Sequence, residues 1–132
     1  MGTSKFSRDY LIDMVINRYF AKVDRKDLSA VLDCFTPDAV FTVQSAFTTH
    51  EGRDTGIRAM FETFFATYPT GRHYNFRHVA DVDGSAIASQ FDVHLQDAAG
   101  AETRMSNCNF FYLENGKFKR VYVYMSGENV LV

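Results

Sequence analysis

At 132 residues and a net charge of −2, the chain has the length of one domain, residues 1–132, and no excess of positive charge. Its Lys and Arg residues are scattered, which excludes the basic footprint of a nucleic-acid-binding protein, and no apolar run approaches the roughly 20 residues that cross a membrane. Aromatic residues make up 15% of the chain, with 13 Phe, 7 Tyr and no Trp, so we expect a wide interior filled by large rings.

Three helices are predicted by apolar residues that recur at helical spacing. Ser7 can cap the first helix with its side-chain oxygen. Pro37 is expected to end the second helix, because a proline disfavours the helical conformation at the residue before it. The predicted spans are about 8–23, 27–36 and 54–68, with a strand at 39–44 and an ambiguous stretch, a short strand and a loop, at 44–52.

From His73 onward the apolar period changes to two, which is typical of strands. Asp83-Gly84 and Asn115-Gly116 are turn sequences that favour hairpins. The predicted strands are 73–82, 86–96, 102–113 and 118–125. Helices followed by consecutive antiparallel strands predict an α+β fold, in which a cone-shaped, curved, mainly antiparallel sheet wraps around three helices of the N-terminal half. A small molecule would enter at the open end of the cone.

Residues 1–5 contain no apolar stretch of the kind that forms a signal peptide, so we expect a cytoplasmic protein. Cys34 and Cys108 could pair in principle. Without an export signal they are expected to be free and buried.

A set of motifs lies in a characteristic order along residues 16–125. They are Arg18-Tyr19-Phe20-Ala21, Asp27-Leu28, Phe35-Thr36-Pro37-Asp38-Ala39-Val40-Phe41, Gly52 with Ile57 and Phe61, Val82-Asp83-Gly84, and Phe110 with Gly116-Lys117-Phe118. In this order the chain resembles the nuclear transport factor 2-like superfamily, and within it the SnoaL-like and ketosteroid-isomerase-like branch. The resemblance implies a cone fold, but the superfamily holds isomerases, dehydratases, cyclases, epoxide hydrolases and noncatalytic binding modules, so it assigns no single function.

The resemblance also places three positions of the steroid isomerase site on this chain. Tyr19 matches the helix-one tyrosine of the oxyanion hole. Val43 stands where those enzymes have their general base, and Cys108 where they have the second oxyanion donor. Because the base and one donor are absent, ketosteroid isomerisation by that mechanism is not expected.

Tyr19 and His78 are the predicted catalytic residues. The Tyr19 hydroxyl could donate a hydrogen bond to a ligand carbonyl, or bond a neighbouring strand as a core residue. His78 shares a strand face with apolar residues, where it could act as a general acid or base, or be a satisfied core histidine. His73 is five positions away, so it should face the other side unless a bulge lies between them.

We expect an apolar pocket for a small apolar ligand or substrate, with no cofactor and no metal, since no metal-binding spacing occurs. Its predicted lining is Tyr19, Phe41, Val43, Phe61, Phe65, Phe76, His78, Phe91, Val93, Cys108, Phe110, Val123 and Met125. Three functions fit: a cofactor-free isomerase, dehydratase or cyclase; a noncatalytic binding module; and an accessory dimer whose aromatic rings fill the cone.

The outer face of the sheet is expected to form a homodimer. Tyr122 and Tyr124 should point outward, and exposed tyrosines favour a partner surface. Gln90, Asp92 and His94 alternate with apolar residues and are placed on the same outer face. The alternative, in which Asp92 and His94 face the pocket as a catalytic dyad, stays open at this point.

Overall fold

The computed structural model describes residues 6–132. Residues 1–5, in which no export signal is predicted, lie outside the described residues, so the predicted domain span of 1–132 is described in part. Among residues 6–132, no helix is long and apolar enough to span a membrane.

The first helical stretch consists of α1 (Arg8–Asp13), a π-helical segment (Met14–Phe20) and α2 (Ala21–Asp24). The predicted cap is confirmed, because the Ser7 hydroxyl accepts a hydrogen bond from the backbone N–H of Tyr10 at 3.1 Å. π-Helical turns are rare and often lie at functional sites. Here the wider turn carries Tyr19 and Phe20, whose side chains are buried against the sheet.

The second helix ends earlier than predicted. It is α3 (Leu28–Asp33), capped by Asp27, and it gives way at Phe35 to β1 (Phe35–Val43). Pro37 therefore lies inside a strand instead of ending a helix. The pairing of β1 with its neighbour shifts register between Phe35 and Val40, and a proline is tolerated at such an irregularity because no ladder hydrogen bond is lost there.

The ambiguous stretch, for which a short strand and a loop are predicted, forms a 3₁₀ turn (Gln44–Ala46) and a short strand. The remaining elements are β2 (Thr48–Glu51), a π-helical segment (Gly52–Ile57), α4 (Arg58–Thr67), β3 (Thr70–Asp81), β4 (Ala86–Gln96), β5 (Glu102–Glu114) and β6 (Lys117–Tyr124). The six strands form one sheet in the order β2-β1-β6-β5-β4-β3, antiparallel except between β1 and β6. The predicted α+β fold with a curved, mainly antiparallel sheet is confirmed.

Aromatic rings fill the space between the helices and the concave face of the sheet, as the composition predicts. The largest fully buried side chains include Phe35, Phe41, Phe61, Phe111 and Phe118. Tyr19 projects from the π-helical segment into this cluster and meets four of these rings edge-on, at centroid distances of 5.4–6.2 Å. Edge-to-face packing of this kind stabilises aromatic pairs beyond the area they bury.

Candidate functional site

A small cavity lies between the first helical stretch and the concave face of the sheet. Its volume is about 30 Å³, and its walls are Tyr19, Phe20, Val23, Phe61, Phe64, His73, Phe91, Val93, Met105, Asn107, Asn109, Val123, Met125, Val130 and Leu131. Small-molecule sites commonly measure about 300–1,000 Å³. In this conformation the cavity holds water at most, although its composition, apolar walls with four polar groups, is typical of a ligand site.

His73, in the wall of this cavity, forms a tight pair with Asp24, which does not line the cavity. The ring Nδ1 of His73 lies 2.6 Å from Asp24 Oδ1, and the backbone N–H of His73 donates to Asp24 Oδ2 at 3.0 Å. Because a carboxylate can only accept, Nδ1 carries a proton, so the neutral ring has its lone pair on Nε2. The His73 side chain is 9% exposed, and Phe20 stacks on its ring at 4.6 Å.

A bulge in β3 brings His73 to the concave face. The pairing of β3 with β4 shifts register between Tyr74 and Arg77, and Asn75 has a positive φ of 57°. On either side of this shift, His73 lies opposite Val93 and His78 opposite Ser89, two buried residues. Both histidines therefore face inward, and the placement of His73 on the other face, which assumed a continuous strand, is corrected. Asn75 was the residue in the sequence that could have indicated this bulge, because asparagine tolerates the left-handed backbone conformation.

His78 lies outside the cavity, which corrects its placement in the pocket wall. Its Nδ1 is 2.8 Å from Ser89 Oγ, and its ring stacks on Phe76 at 5.9 Å. Phe76 also contacts Phe91, a cavity residue, so the His78 ring reaches the cavity wall only through Phe76. Burial lowers the pKa of His78, and the charge of Arg8 adds to this effect. His78 Nε2 is buried with no hydrogen-bond partner among residues 6–132.

Tyr19 lies in the cavity wall, as predicted, and is 2% exposed. Burial raises the pKa of its phenol far above the usual value, and the nearby Cys34 thiol raises it further. The hydroxyl therefore keeps its proton at neutral pH and can act as a hydrogen-bond donor. Tyr19 and His73, not Tyr19 and His78, are the titratable side chains that the fold brings to one cavity.

Strand β5 faces the opposite way from the prediction, so Cys108 and Phe110 are not pocket residues. Cys108 pairs with Gln90 and Tyr124, which are on the outer face, and Phe110 is 39% exposed. The inner positions of β5 are Met105, Asn107, Asn109 and Phe111. Two asparagines on the inward face interrupt its apolar pattern. The opposite face, which carries Cys108 and Phe110, therefore looked more apolar in the sequence and was predicted to be the interior one.

The two asparagines add polar groups to the cavity wall. Asn107 Oδ1 accepts from the backbone N–H of Ser126 at 3.2 Å. Asn109 is 3% exposed, and its Oδ1 is buried without a hydrogen-bond partner among the described residues. Such an unpaired polar atom costs about 1–3 kcal/mol. A group that bears this cost is a candidate for contact with a ligand.

The other predicted lining residues divide into two groups. Phe61, Phe91, Val93, Val123 and Met125 do line the cavity with Tyr19. The remaining residues pack elsewhere: Phe41 and Val43 are fully buried in the core, and Phe65 and Phe76 are partly buried against it. Both cysteines are free as expected, with Cys34 buried and Cys108 only partly so.

The outer face of the sheet carries the remaining predicted groups. Asp92 and His94 face outward there, where Asp92 accepts from Asn75 and His94 pairs with Glu102 at 2.9 Å. The alternative that Asp92 and His94 form an inward dyad is therefore wrong. Next to them lies an aromatic patch formed by Phe110, Tyr112, Arg120, Tyr122 and Tyr124. Among residues 6–132, no three His, Cys, Asp or Glu side chains are grouped to hold a metal ion.

Comparison with known proteins identifies the fold and the family. A family model described as a SnoaL-like domain matches residues 16–121. A candidate polyketide cyclase from Pseudomonas putida KT2440 is 25% identical, with 86% of this chain and 90% of that chain covered and a TM-score of 0.76. A candidate aromatic ring hydroxylase from Novosphingobium aromaticivorans is 27% identical, with 92% and 90% covered and a TM-score of 0.74.

A third structure is similar in fold alone. The epoxide hydrolase/cyclase-like enzyme SalBIII, with a role in pyran ring formation in the polyether salinomycin, is 20% identical, with 91% of this chain and 93% of that chain covered and a TM-score of 0.79. No curated protein matches the chain in sequence.

Proposed function

The chain belongs to the SnoaL-like family of the nuclear transport factor 2-like superfamily, and from that premise we propose that it is a cofactor-free enzyme acting by proton transfer. The substrate is a small, mostly apolar molecule with a carbonyl or hydroxyl group, and the reaction is an isomerisation, dehydration or cyclisation. The observation that carries this proposal is His73 in the wall of an apolar cavity, with its ring held from behind the wall by Asp24.

His73 is the proposed general base. Asp24 holds the ring through Nδ1–H and through the backbone N–H of the same residue, so the orientation and the tautomer are both fixed before a substrate binds. Nε2 then accepts a proton from the substrate, and the carboxylate stabilises the imidazolium that forms. A positioned base of this kind contributes roughly 10²- to 10⁴-fold in rate.

Tyr19 is the proposed donor to the substrate oxygen, and Asn109 is the proposed acceptor for a substrate hydroxyl. Removing a proton next to a carbonyl places negative charge on the oxygen, and a fixed donor in a dry site stabilises that charge strongly. Tyr19 stays protonated because burial raises its pKa. Loss of one such donor costs on the order of 100-fold in rate. Asn109 lies in the cavity wall with its Oδ1 unpaired within residues 6–132, and because an amide oxygen can only accept, it would take a hydrogen bond from a substrate hydroxyl.

The test follows the proton and needs no known substrate. Apolar cyclic ketones and 1,3-diketones are incubated with the protein in deuterated water, and exchange of the protons next to the carbonyl is followed by proton NMR. We expect the protein to accelerate exchange for some of them, His73→Gln to abolish the acceleration, and Tyr19→Phe to reduce it. His78→Gln is the matched control, because it removes a second inward histidine of β3 that does not line the cavity.

Two results would overturn the proposal. One is exchange that is not accelerated for any ketone in the panel. The other is acceleration that survives in His73→Gln. A protein that binds the ketones without exchanging their protons would instead be a noncatalytic binding module, and one that binds none of them would be the accessory dimer.

We also propose that the protein works as a homodimer in the cytoplasm, packed through the outer aromatic patch. Tyr112 and Tyr124 are each 44% exposed, and the Arg120 guanidinium lies 4.1 Å from the Tyr122 ring centroid. Aromatic residues and Arg are enriched at protein interfaces, where burial of their large surfaces drives association.

A further inference from the structure

The cavity is closed by a segment that lies beyond the last strand. Val130 and Leu131 form part of its wall, although residues 125–132 contain no helix or strand. The Leu131 carbonyl oxygen lies 2.9 Å from Nε2 of His50. His50 is on β2 opposite Phe41, which is fully buried on the concave side of the sheet, so its ring holds the segment on that side.

We propose that residues 126–132 are a self-occluding lid, in which Val130 and Leu131 occupy the outer part of the ligand site until a ligand displaces them. The inference rests on the proposed function for its choice of cavity. It explains why the cavity has walls typical of a ligand site but a free volume of only about 30 Å³, which is too small for a ligand. The ligand class is an apolar body that replaces two aliphatic side chains, with a hydroxyl at its inner end that donates to the unpaired Oδ1 of Asn109.

Few interactions hold the lid, so its displacement requires no change in the sheet. The backbone N–H of Ser126 donates to Asn107, the Ser126 hydroxyl accepts from the backbone N–H of Ser106 at 2.9 Å, and the backbone N–H of Leu131 donates to Asn129 within the lid itself. Within the described part of the chain, no backbone–backbone hydrogen bond joins residues 127–132 to a strand. Segments held by few buried contacts and few backbone hydrogen bonds open locally at much lower free energy than the core.

The lid sets the apparent affinity of the cavity. When only a fraction of molecules is open, the measured dissociation constant equals the intrinsic one divided by that fraction. Removing the His50 tether, one hydrogen bond, should therefore tighten apparent binding by about fivefold. Replacing the two aliphatic side chains should tighten it further, because burial of their apolar surface also favours the closed state.

The experiment is a fluorescence titration with the apolar dye 8-anilinonaphthalene-1-sulfonate. The variants are His50→Ala and the double variant Val130→Ser with Leu131→Ser. Val132→Ser is the matched control, since Val132 is 64% exposed and is not a cavity residue. We expect tighter binding in both lid variants and no change in the control, with near-ultraviolet circular dichroism unchanged in all three.

The binding position is read by NMR on the unaltered protein. Added dye should shift the methyl signals of Val93, Val123 and Leu131 more than signals from the outer patch. Dye affinity that is equal in all variants, or shifts confined to Tyr122 and Tyr124, would overturn the lid. If the double variant is poorly folded, His50→Ala and the NMR titration still decide the question.

The two proposals fail in distinguishable ways. Dye binding needs an open cavity but no general base, so the dye titration and the ketone exchange measure separate properties of the protein. If lid variants bind dye more tightly but no ketone exchanges, the lid stands and the enzyme proposal falls. If ketones exchange but the lid variants behave as the unaltered protein, the lid falls and the general base stands.

Discussion

Replacing Asp24 by Ala removes two hydrogen bonds to one residue, and the geometry sets the size of the effect. The carboxylate accepts from the backbone N–H of His73 at 3.0 Å and from its ring Nδ1 at 2.6 Å. A hydrogen bond to a charged group contributes about 1.5–3 kcal/mol, so the two together could contribute about 3–6 kcal/mol. The Asp24 side chain is 25% exposed, which lets water replace part of this interaction. We expect Asp24→Ala to lower the free energy of unfolding by about 2–4 kcal/mol.

Urea unfolding at pH 7.5 measures this loss, with two comparison variants. Asp24→Asn keeps the shape and one acceptor oxygen, so it should lose less than Asp24→Ala. Asp92→Ala removes a carboxylate on the exposed outer face that accepts from Asn75, and it should cost no more than about 0.5 kcal/mol. An Asp24→Ala loss as small as that of Asp92→Ala would refute the view that the pair is strongly coupled. Nitrogen-15 NMR adds an independent readout, because His73 should carry its proton on Nδ1 in the unaltered protein.

Three further predictions concern the core, the thiols and the outer face. Phe61→Ala should lower the free energy of unfolding by about 3–5 kcal/mol in urea, because Phe61 is fully buried and contacts four aromatic rings; a loss under 1 kcal/mol would contradict the packing. Burial raises the pKa of Cys34 to about 12 and raises that of Cys108 as well, so little thiolate forms at pH 8. Iodoacetamide should then label Cys34 in the folded protein much more slowly than in urea, by mass spectrometry, and equal rates would contradict the burial. Tyr124→Arg should convert the proposed dimer to a monomer in sedimentation velocity. Val79→Arg, which changes an exposed residue of β3, is the control and should leave the dimer intact. A monomeric unaltered protein would contradict the dimer.

The architecture was predictable because local signals agree with it. The Ser7 cap, the change of period near His73 and the two hairpin turns all describe backbone conformation that neighbouring residues determine. The prediction that Pro37 ends a helix was wrong because it, too, used only neighbouring residues. A proline before an extended run usually ends a helix, but here the irregular pairing between β1 and β6 accepts it within the strand, and that pairing joins residues about 80 positions apart in the sequence.

The candidate site was less predictable, because it depends on which face each side chain takes. One extra residue in β3 puts His73 on the same face as His78, and period-two counting cannot detect a bulge. On β5 the inward asparagines made the wrong face look apolar. Phe110 was therefore predicted to face the pocket, whereas its neighbour Phe111 is the fully buried residue. The pairing of Asp24 with His73 joins residues 49 positions apart and has no signature in the sequence.

The central claim is that a ligand binds in the cavity beside His73, and a crystal structure with the fastest-exchanging ketone tests it most directly. The account predicts density for the ketone between the first helical stretch and the concave face of the sheet. Its carbonyl oxygen should lie within hydrogen-bond distance of the Tyr19 hydroxyl, its exchanging carbon should face His73 Nε2, and Val130 and Leu131 should be displaced. Density confined to the outer patch of Phe110, Tyr112, Tyr122 and Tyr124, with the cavity still closed, would contradict it.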